Sequence, residues 1–142
     1  MNSGQTSEIK IRSGTVSLLP NGIILAQTGD NLILEMGDVR EFTEAMATIA
    51  GDQKLPVLTI PGINTTAGPD VREYSSSEEG CRNVLARAII TGSFAQELLA
   101  NFFIRFNKPV VPTRLFHNRA QAEKWLLELL AVKKKGVMEY EQ

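Results

Sequence analysis

The stretch GTVSLLPNGIILAQT, residues 14–28, carries the clearest fold signal in the sequence. Two apolar runs flank Asn21-Gly22, the dipeptide that type I′ turns prefer because both of their central positions need a positive φ. The pattern predicts an antiparallel hairpin that pairs residues 14–19 with residues 22–28. Polar and apolar side chains alternate at residues 8–12, so a further strand is expected just before the hairpin.

Strand and helix signals alternate along the rest of the chain, and this order indicates a mostly parallel sheet. The predicted fold class is α/β: a single domain over residues 1–142, with its core at about 8–131 and a charged tail at 132–142 that frays. Its mixed sheet has about five strands, opens with the antiparallel hairpin and carries about four helices. Strands are predicted at residues 56–60, 86–91 and 113–116, and helices at residues 38–50 (capped by Asp38), 70–74, 76–83, 94–106 (capped by Ser93 with Gln96) and after Asn118.

Length and composition exclude several classes of protein. The chain has 142 residues, with 15 Lys+Arg against 16 Asp+Glu. A net charge of −1 argues against a nucleic-acid partner, because phosphate contacts usually need a basic excess. No apolar run approaches the ~20 residues of a membrane span, and the first residues lack the layout of a signal peptide. The single cysteine, Cys81, excludes an internal disulfide, so a cytoplasmic protein is expected.

The sequence offers little for catalysis or for metal binding. Structural zinc needs four nitrogen or thiolate ligands, whereas the chain has one His and one Cys. It also lacks a Gly-x-Ser-x-Gly nucleophile motif and a glycine-rich phosphate loop. An enzyme built on the carboxylates Asp70, Glu73 and Glu78 ranks last, because these residues lie in polar, exposed stretches. We therefore expect no catalytic residue, no metal and no cofactor.

The helix predicted at residues 94–106 has an unusually wide apolar surface. Its polar residues form one narrow stripe, whereas a surface helix needs an apolar arc of only about 100° or somewhat more. Three explanations remain open: cover by the Pro-rich segment 109–112, a self-association face, or a groove for a hydrophobic ligand. Among the functional explanations a homodimer comes first. The candidate interface or groove residues are Leu99, Phe102, Phe103 and Phe106.

The order of elements resembles that of STAS domains, which are typified by the anti-sigma-factor antagonist SpoIIAA. The resemblance covers residues 14–131, and at sequence level it is to uncharacterised bacterial SpoIIAA-like proteins of the STAS/SEC14 type. It implies the same α/β fold and a bacterial protein. The stretches that carry it are Asn21-Gly22-Ile23, Asn101-Phe102-Phe103, Asn107-Lys108-Pro109, Pro112-Thr113-Arg114-Leu115-Phe116, and Ala122 with Trp125-Leu126.

The resemblance also implies a phosphorylation site. In regulatory STAS domains a Ser in an Asp-Ser-Ser-Gly-like stretch, at the start of the helix after the third strand, is phosphorylated by a partner kinase. The corresponding residues here are Asn64-Thr65-Thr66-Ala67, so Thr65 and Thr66 are candidate phosphoacceptors. Three substitutions fall on the motif itself, since Asn, Thr and Ala replace Asp, Ser and Gly. A phosphate near a helix N-terminus is electrostatically favoured and would repel an acidic partner.

Two functions are compatible with these observations. The first is a non-enzymatic STAS-like regulatory or protein-interaction module, with a second copy of itself or a regulatory protein as partner. The second is a carrier of a small apolar ligand or lipid, as in the SEC14-like branch of this fold group.

Overall fold

The computed structural model describes the backbone of residues 8–141 and the side chains of residues 8–136. The strands are β1 (Glu8–Ile11), β2 (Gly14–Leu18), β3 (Ile24–Thr28), β4 (Ile33–Leu34), β5 (Leu55–Ile60), β6 (Thr66–Ala67), β7 (Val84–Ile90) and β8 (Thr113–Phe116). The helices are α1 (Met36–Ala50), α2 (Pro69–Ser76), α3 (Phe94–Phe102) with a π-helical turn at Phe103–Asn107, and α4 (Arg119–Glu141).

Six strands form the main sheet, in the order β1-β2-β3-β5-β7-β8. The pairs β1–β2 and β2–β3 are antiparallel, and the remaining pairs are parallel. This arrangement confirms the predicted α/β class, with one strand more than expected in the sheet. The short strands β4 and β6, which the sequence analysis missed, form a separate parallel pair. The order of the main elements is the one that the STAS resemblance implies.

The two faces of the sheet are covered by different helices. On one face Ala122 and Leu126 of α4 pack against Leu58 and Ala86. On the other face Met46 of α1 belongs to a second cluster of buried side chains. The helices α2 and α3 lie on this same face. The helix α4 extends through Glu141, and fraying of the charged tail stays a prediction. Within residues 8–141 no helix combines the length and the apolar composition needed to cross a membrane.

An irregularity in β7 decides which face its side chains occupy. Leu55 pairs with Val84, but its neighbour Pro56 pairs with Ala86, so Leu85 is an extra residue in the ladder. Side chains alternate along a strand, and an extra residue therefore reverses the alternation after it. Because of this bulge Ala86 and Ala88 face α4, and Arg87 faces the side of α1, α2 and α3.

The opening hairpin is confirmed, but its predicted type I′ turn is wrong. Of the two residues only Gly22 has a positive φ, of 93°. Its N–H donates to Leu19 O at 3.0 Å, which closes a type I turn over Pro20 and Asn21 with a left-handed glycine after it. Proline explains the difference, because its fixed φ suits the first central position of a type I turn.

The start of α1 also differs from the prediction. Glu35, not Asp38, is the N-cap residue, and Asp38 occupies the third helical position and closes a capping box by accepting Glu35 N–H at 2.8 Å. The buried carboxylate also binds Arg12 through two hydrogen bonds of 2.9 and 2.8 Å. Asp38 therefore attaches the start of α1 to the turn between β1 and β2.

The two short helices predicted after the third strand are one helix. It is α2, and turns replace the second helix predicted at residues 76–83. Gly80 lies where the chain folds back, and a Cβ at this position would be 2.1 Å from Tyr74 O. A side chain cannot fit there, so close backbone packing takes precedence over the capping signals of the nearby serines.

Candidate functional site

A cavity of about 230 Å³ lies between the sheet and the helices α1, α2 and α3. Strands β3, β5 and β7 contribute its floor, and the three helices contribute its walls. The exposed Thr66 and Leu99 belong to the lining, so the cavity opens to solvent on their side. Apolar residues dominate the lining, among them Ala26, Val39, Met46, Val57, Ile89 and Phe103.

The first turn of α3 holds this helix over the cavity. Ser93 Oγ accepts Gln96 N–H at 3.2 Å, which confirms the predicted cap. The side-chain carboxamide of Gln96 forms two further hydrogen bonds: its oxygen accepts Gly92 N–H at 2.7 Å, and its nitrogen donates to Gly62 O at 3.2 Å. Through these bonds α3 is attached to the loop after β5, and its side chains close one wall of the cavity.

The four candidate interface or groove residues separate into two pairs. Leu99 and Phe103 line the cavity. Phe102 and Phe106 point outward, with exposed fractions of 44% and 69% and ring centroids 4.6 Å apart. The explanation that the Pro-rich segment 109–112 covers this flank of α3 is therefore wrong.

The outward pair is part of a longer apolar row on the described surface. Phe94 and Leu98, with exposed fractions of 76% and 54%, precede Phe102 and Phe106 at intervals of one helical turn. We call these four residues the α3 apolar row. Four exposed large apolar side chains in one row make this helix surface a candidate contact site.

Arg87 is the site residue that the sequence analysis missed. It lines the cavity, yet only 8% of its surface is exposed. Its Nη1 donates to Ser75 O at 3.0 Å, and its guanidinium carbon lies 6.0 Å from the centre of the Phe103 ring. Within the described side chains no carboxylate forms an ion pair with it. A signal for it exists in the sequence, because an arginine interrupts the otherwise apolar strand VLARAII.

The burial of Arg87 has an electrostatic cost. Desolvation lowers the pKa of the guanidinium, and the neighbouring Cys81 thiol opposes this shift. An arginine nevertheless keeps its charge at neutral pH. A buried charge without a counter-charge costs several kcal/mol, of which one carbonyl bond and an aromatic ring recover only part.

A second arginine, Arg72, also lines the cavity. Its Nη1 donates to Ala67 O at 2.6 Å, and its guanidinium carbon lies 5.1 Å from the centre of the Phe102 ring. Its Nε is buried without a hydrogen-bond partner in the described structure. The ionisable side chains that line the cavity are therefore two cations, Arg72 and Arg87, and no acid.

The two candidate phosphoacceptors have different environments beside the cavity. Thr65 is buried, and its hydroxyl donates to Gly29 O and accepts Leu32 N–H. Thr66 is exposed and lies in β6, ahead of the first residue of α2. Phosphorylation stays a prediction, and Thr66 is the residue whose position gives a kinase access.

The carboxylates considered for catalysis lie at the surface. Asp70, Glu73 and Glu78 are all exposed, so none has the desolvated environment that a general acid needs. Among the residues that the structure describes, no group of His, Cys, Asp and Glu side chains is arranged to hold a metal ion.

The topology and the cavity describe an α/β domain with a mixed sheet and a cavity lined mainly by apolar residues. The chain belongs to the family described as a domain of unknown function, DUF7793, whose model matches residues 17–130. Comparison with curated proteins gives no match.

Two solved structures are similar to the chain. One is an uncharacterised protein of the DUF3478 family with a SpoIIAA-like fold from Shewanella loihica PV-4, with 14% identity, a TM-score of 0.47, and coverage of 89% of this chain and 98% of that chain. The other is a protein of unknown function from Arthrobacter sp. FB24, with 22% identity, a TM-score of 0.29, and coverage of 84% of this chain and 96% of that chain.

A buried, unpaired charge at Arg87 lowers the free energy of unfolding if its role is to bind a ligand. We expect Arg87→Met to leave the free energy of unfolding unchanged or to raise it by about 1–4 kcal/mol, since an apolar side chain of similar length removes the desolvation cost. Urea denaturation of the free protein measures this, with the exposed Arg114→Met as the matched control. A loss of more than about 2 kcal/mol would show that the guanidinium is a structural element.

Proposed function

We propose that this chain is a non-enzymatic STAS-like module that binds a small, mainly apolar molecule in the cavity beneath α1, α2 and α3. The observation that carries the proposal is the volume of the cavity in so small a domain. Protein interiors are close-packed, with few voids larger than a water molecule. The cavity of about 230 Å³ is lined mainly by apolar side chains and opens to solvent beside Thr66 and Leu99, which is the form of a small-molecule site.

The cavity limits the size of the ligand. An apolar cavity of about 150 Å³ binds benzene, so by proportion 230 Å³ accommodates roughly nine non-hydrogen atoms. The open side at Thr66 and Leu99 gives a route of entry. A molecule the size of 1-octanol is therefore a suitable probe for the apolar part of the site.

The lining also supports the non-enzymatic part of the proposal. Its charged side chains are the guanidinium groups of Arg72 and Arg87, and it contains no carboxylate, imidazole or thiol of the kind that general acid–base catalysis uses. Arginine binds and orients anionic groups, and this chemistry suits a carrier or a ligand-controlled regulator.

Filling the cavity tests the proposal. We expect Ala26→Leu to raise the melting temperature of the free protein and to weaken 1-octanol binding at least about tenfold, because the added isopropyl group occupies the ligand's space. Isothermal titration calorimetry measures the binding, and Ala120→Leu, at an exposed position, is the control. Octanol binding that is absent in the wild type, or equal in the two variants, contradicts the proposal.

A second function, self-association, is favoured by the α3 apolar row. Glu97 and Arg105 lie eight residues apart with Asn101 midway between them, and Glu97 Oε2 also lies 3.4 Å from His117 Nε2. In an antiparallel pairing of two copies about this midpoint, Glu97 of each copy meets Arg105 of the other. The row would then be buried between two complementary charge pairs, so we propose a second copy of this chain as its occupant.

Charge exchange tests the homodimer. We expect Glu97→Arg and Arg105→Glu each to weaken association, since each places like charges opposite one another, and the double variant to restore it. Size-exclusion chromatography with light scattering measures the mass across a concentration series, and circular dichroism controls for folding. A monomeric wild type at every concentration, or single variants that associate like the wild type, would contradict this arrangement.

A further inference from the structure

We propose that the ligand of the cavity is an amphipathic monocarboxylate, whose carboxylate is held by Arg87 while its apolar part fills the space between the sheet and the three helices. The inference rests on the proposed function, since it requires that the cavity binds a ligand. It adds the chemical class of that ligand and the residue that recognises its charged end.

The first argument is the balance of charge. Two arginines, Arg72 and Arg87, line the cavity, and its lining contains no carboxylate. A ligand with one negative charge supplies what the protein lacks, whereas a cationic ligand would add a third positive charge. A neutral ligand would displace water from the site, and it would leave the charge of Arg87 without a counter-charge there.

The second argument is the donor geometry of Arg87. A guanidinium has five N–H donors in a planar fork that matches both oxygens of a carboxylate. This side chain donates from Nη1 to Ser75 O and also contacts the Cys81 thiol, which together use only part of its donors. Donors therefore remain for a ligand, and a charge-assisted bond in this desolvated place is stronger than one at the surface.

The third argument is the way in which the chain presents Arg87. If Leu85 were paired regularly instead of bulged, Arg87 would pair with Leu58 and face α4, and the alanines would face the cavity. The bulge instead places the one charged side chain of this strand among apolar residues. Bulges commonly redirect a side chain beside a functional site, and this bulge has that effect.

The fourth argument is size, which selects among anions. Since the cavity accommodates roughly nine non-hydrogen atoms on the benzene scale, the charged group must be small for an apolar part to fit as well. A carboxylate adds only two oxygen atoms to a hydrocarbon chain. Octanoate therefore fits the estimate, and a phosphate or a larger head group would displace most of the apolar part.

The experiment compares three eight-carbon probes that differ at one end. Octanoate, 1-octanol and octylamine are titrated by calorimetry at pH 7.5, where the carboxylate and the amine are charged. The proteins are the wild type, Arg87→Met and the control Arg114→Met, each verified by circular dichroism. We expect the wild type to bind octanoate at least about tenfold more tightly than octanol, and octylamine most weakly.

The variants assign the preference to a residue. We expect Arg87→Met to lose the preference for octanoate while it retains octanol binding, and Arg114→Met to behave like the wild type. Raising the salt concentration should change the wild-type preference little, because a buried ion pair is poorly screened; a preference abolished by salt points to surface arginines and overturns the assignment.

The outcomes separate this inference from the proposed function. If octanol binds and octanoate binds no better, the inference is wrong and the apolar site stands. If the preference for octanoate persists in Arg87→Met, the assignment to Arg87 is wrong. If none of the probes binds the wild type, both proposals fail. If Arg87→Met does not fold, the comparison of octanoate with 1-octanol binding to the wild type still tests the inference.

Discussion

The positive charge of Arg87 inside an apolar cavity is the constraint on which our account of this domain depends. The side chain is almost fully buried, and it contacts a backbone carbonyl, an aromatic ring and a thiol where a carboxylate would be expected. Such an arrangement lowers the stability of the fold unless a further group offsets the charge. A bound carboxylate offsets it, and the same contact would give the cavity its selectivity.

The helix α3 connects the two functions that we propose. Its inner residues Leu99 and Phe103 line the cavity, and the α3 apolar row lies on its outer surface. The unusually wide apolar arc of this helix is therefore the sum of two narrower surfaces with different environments. A single explanation for the whole arc, whether cover by another segment or one interface, does not fit the structure.

Much of the fold could be predicted from the sequence because its signals are local. The alternation at residues 8–12, the Ser93 cap of α3 and the buried run at 56–60 each depend on neighbouring residues, and the structure contains the element that each indicates. Errors arose where two local rules compete. Pro20 changed the hairpin turn, and the close contact of Gly80 with the chain at Tyr74 excluded a helix that the nearby serines favoured.

The candidate site was harder to predict, since it depends on register. Nothing local in the strand around Arg87 reveals that Leu85 is an extra residue, and without the bulge this arginine would face the opposite side of the sheet. The separation of Leu99 and Phe103 from Phe102 and Phe106 likewise requires the position of α3 over the sheet, which Gln96 and the loop after β5 determine.

The ionisation of a bound carboxylate tests the central claim most directly. Nuclear magnetic resonance of octanoate labelled with ¹³C at its carboxyl carbon, bound to the wild-type protein, follows this group through a pH titration. Arg72, Arg87 and Cys81 are the ionisable groups placed to influence it. Our account predicts that the pKa of the bound acid lies below that of free octanoic acid, because the nearby cations favour the charged form. The affinity for octanoate would then be highest above the pKa of the free acid. It would fall as the pH drops through this pKa toward the lower pKa of the bound acid. A bound acid whose pKa is raised would show a carboxyl group buried without a cation, and it would contradict the role of Arg87.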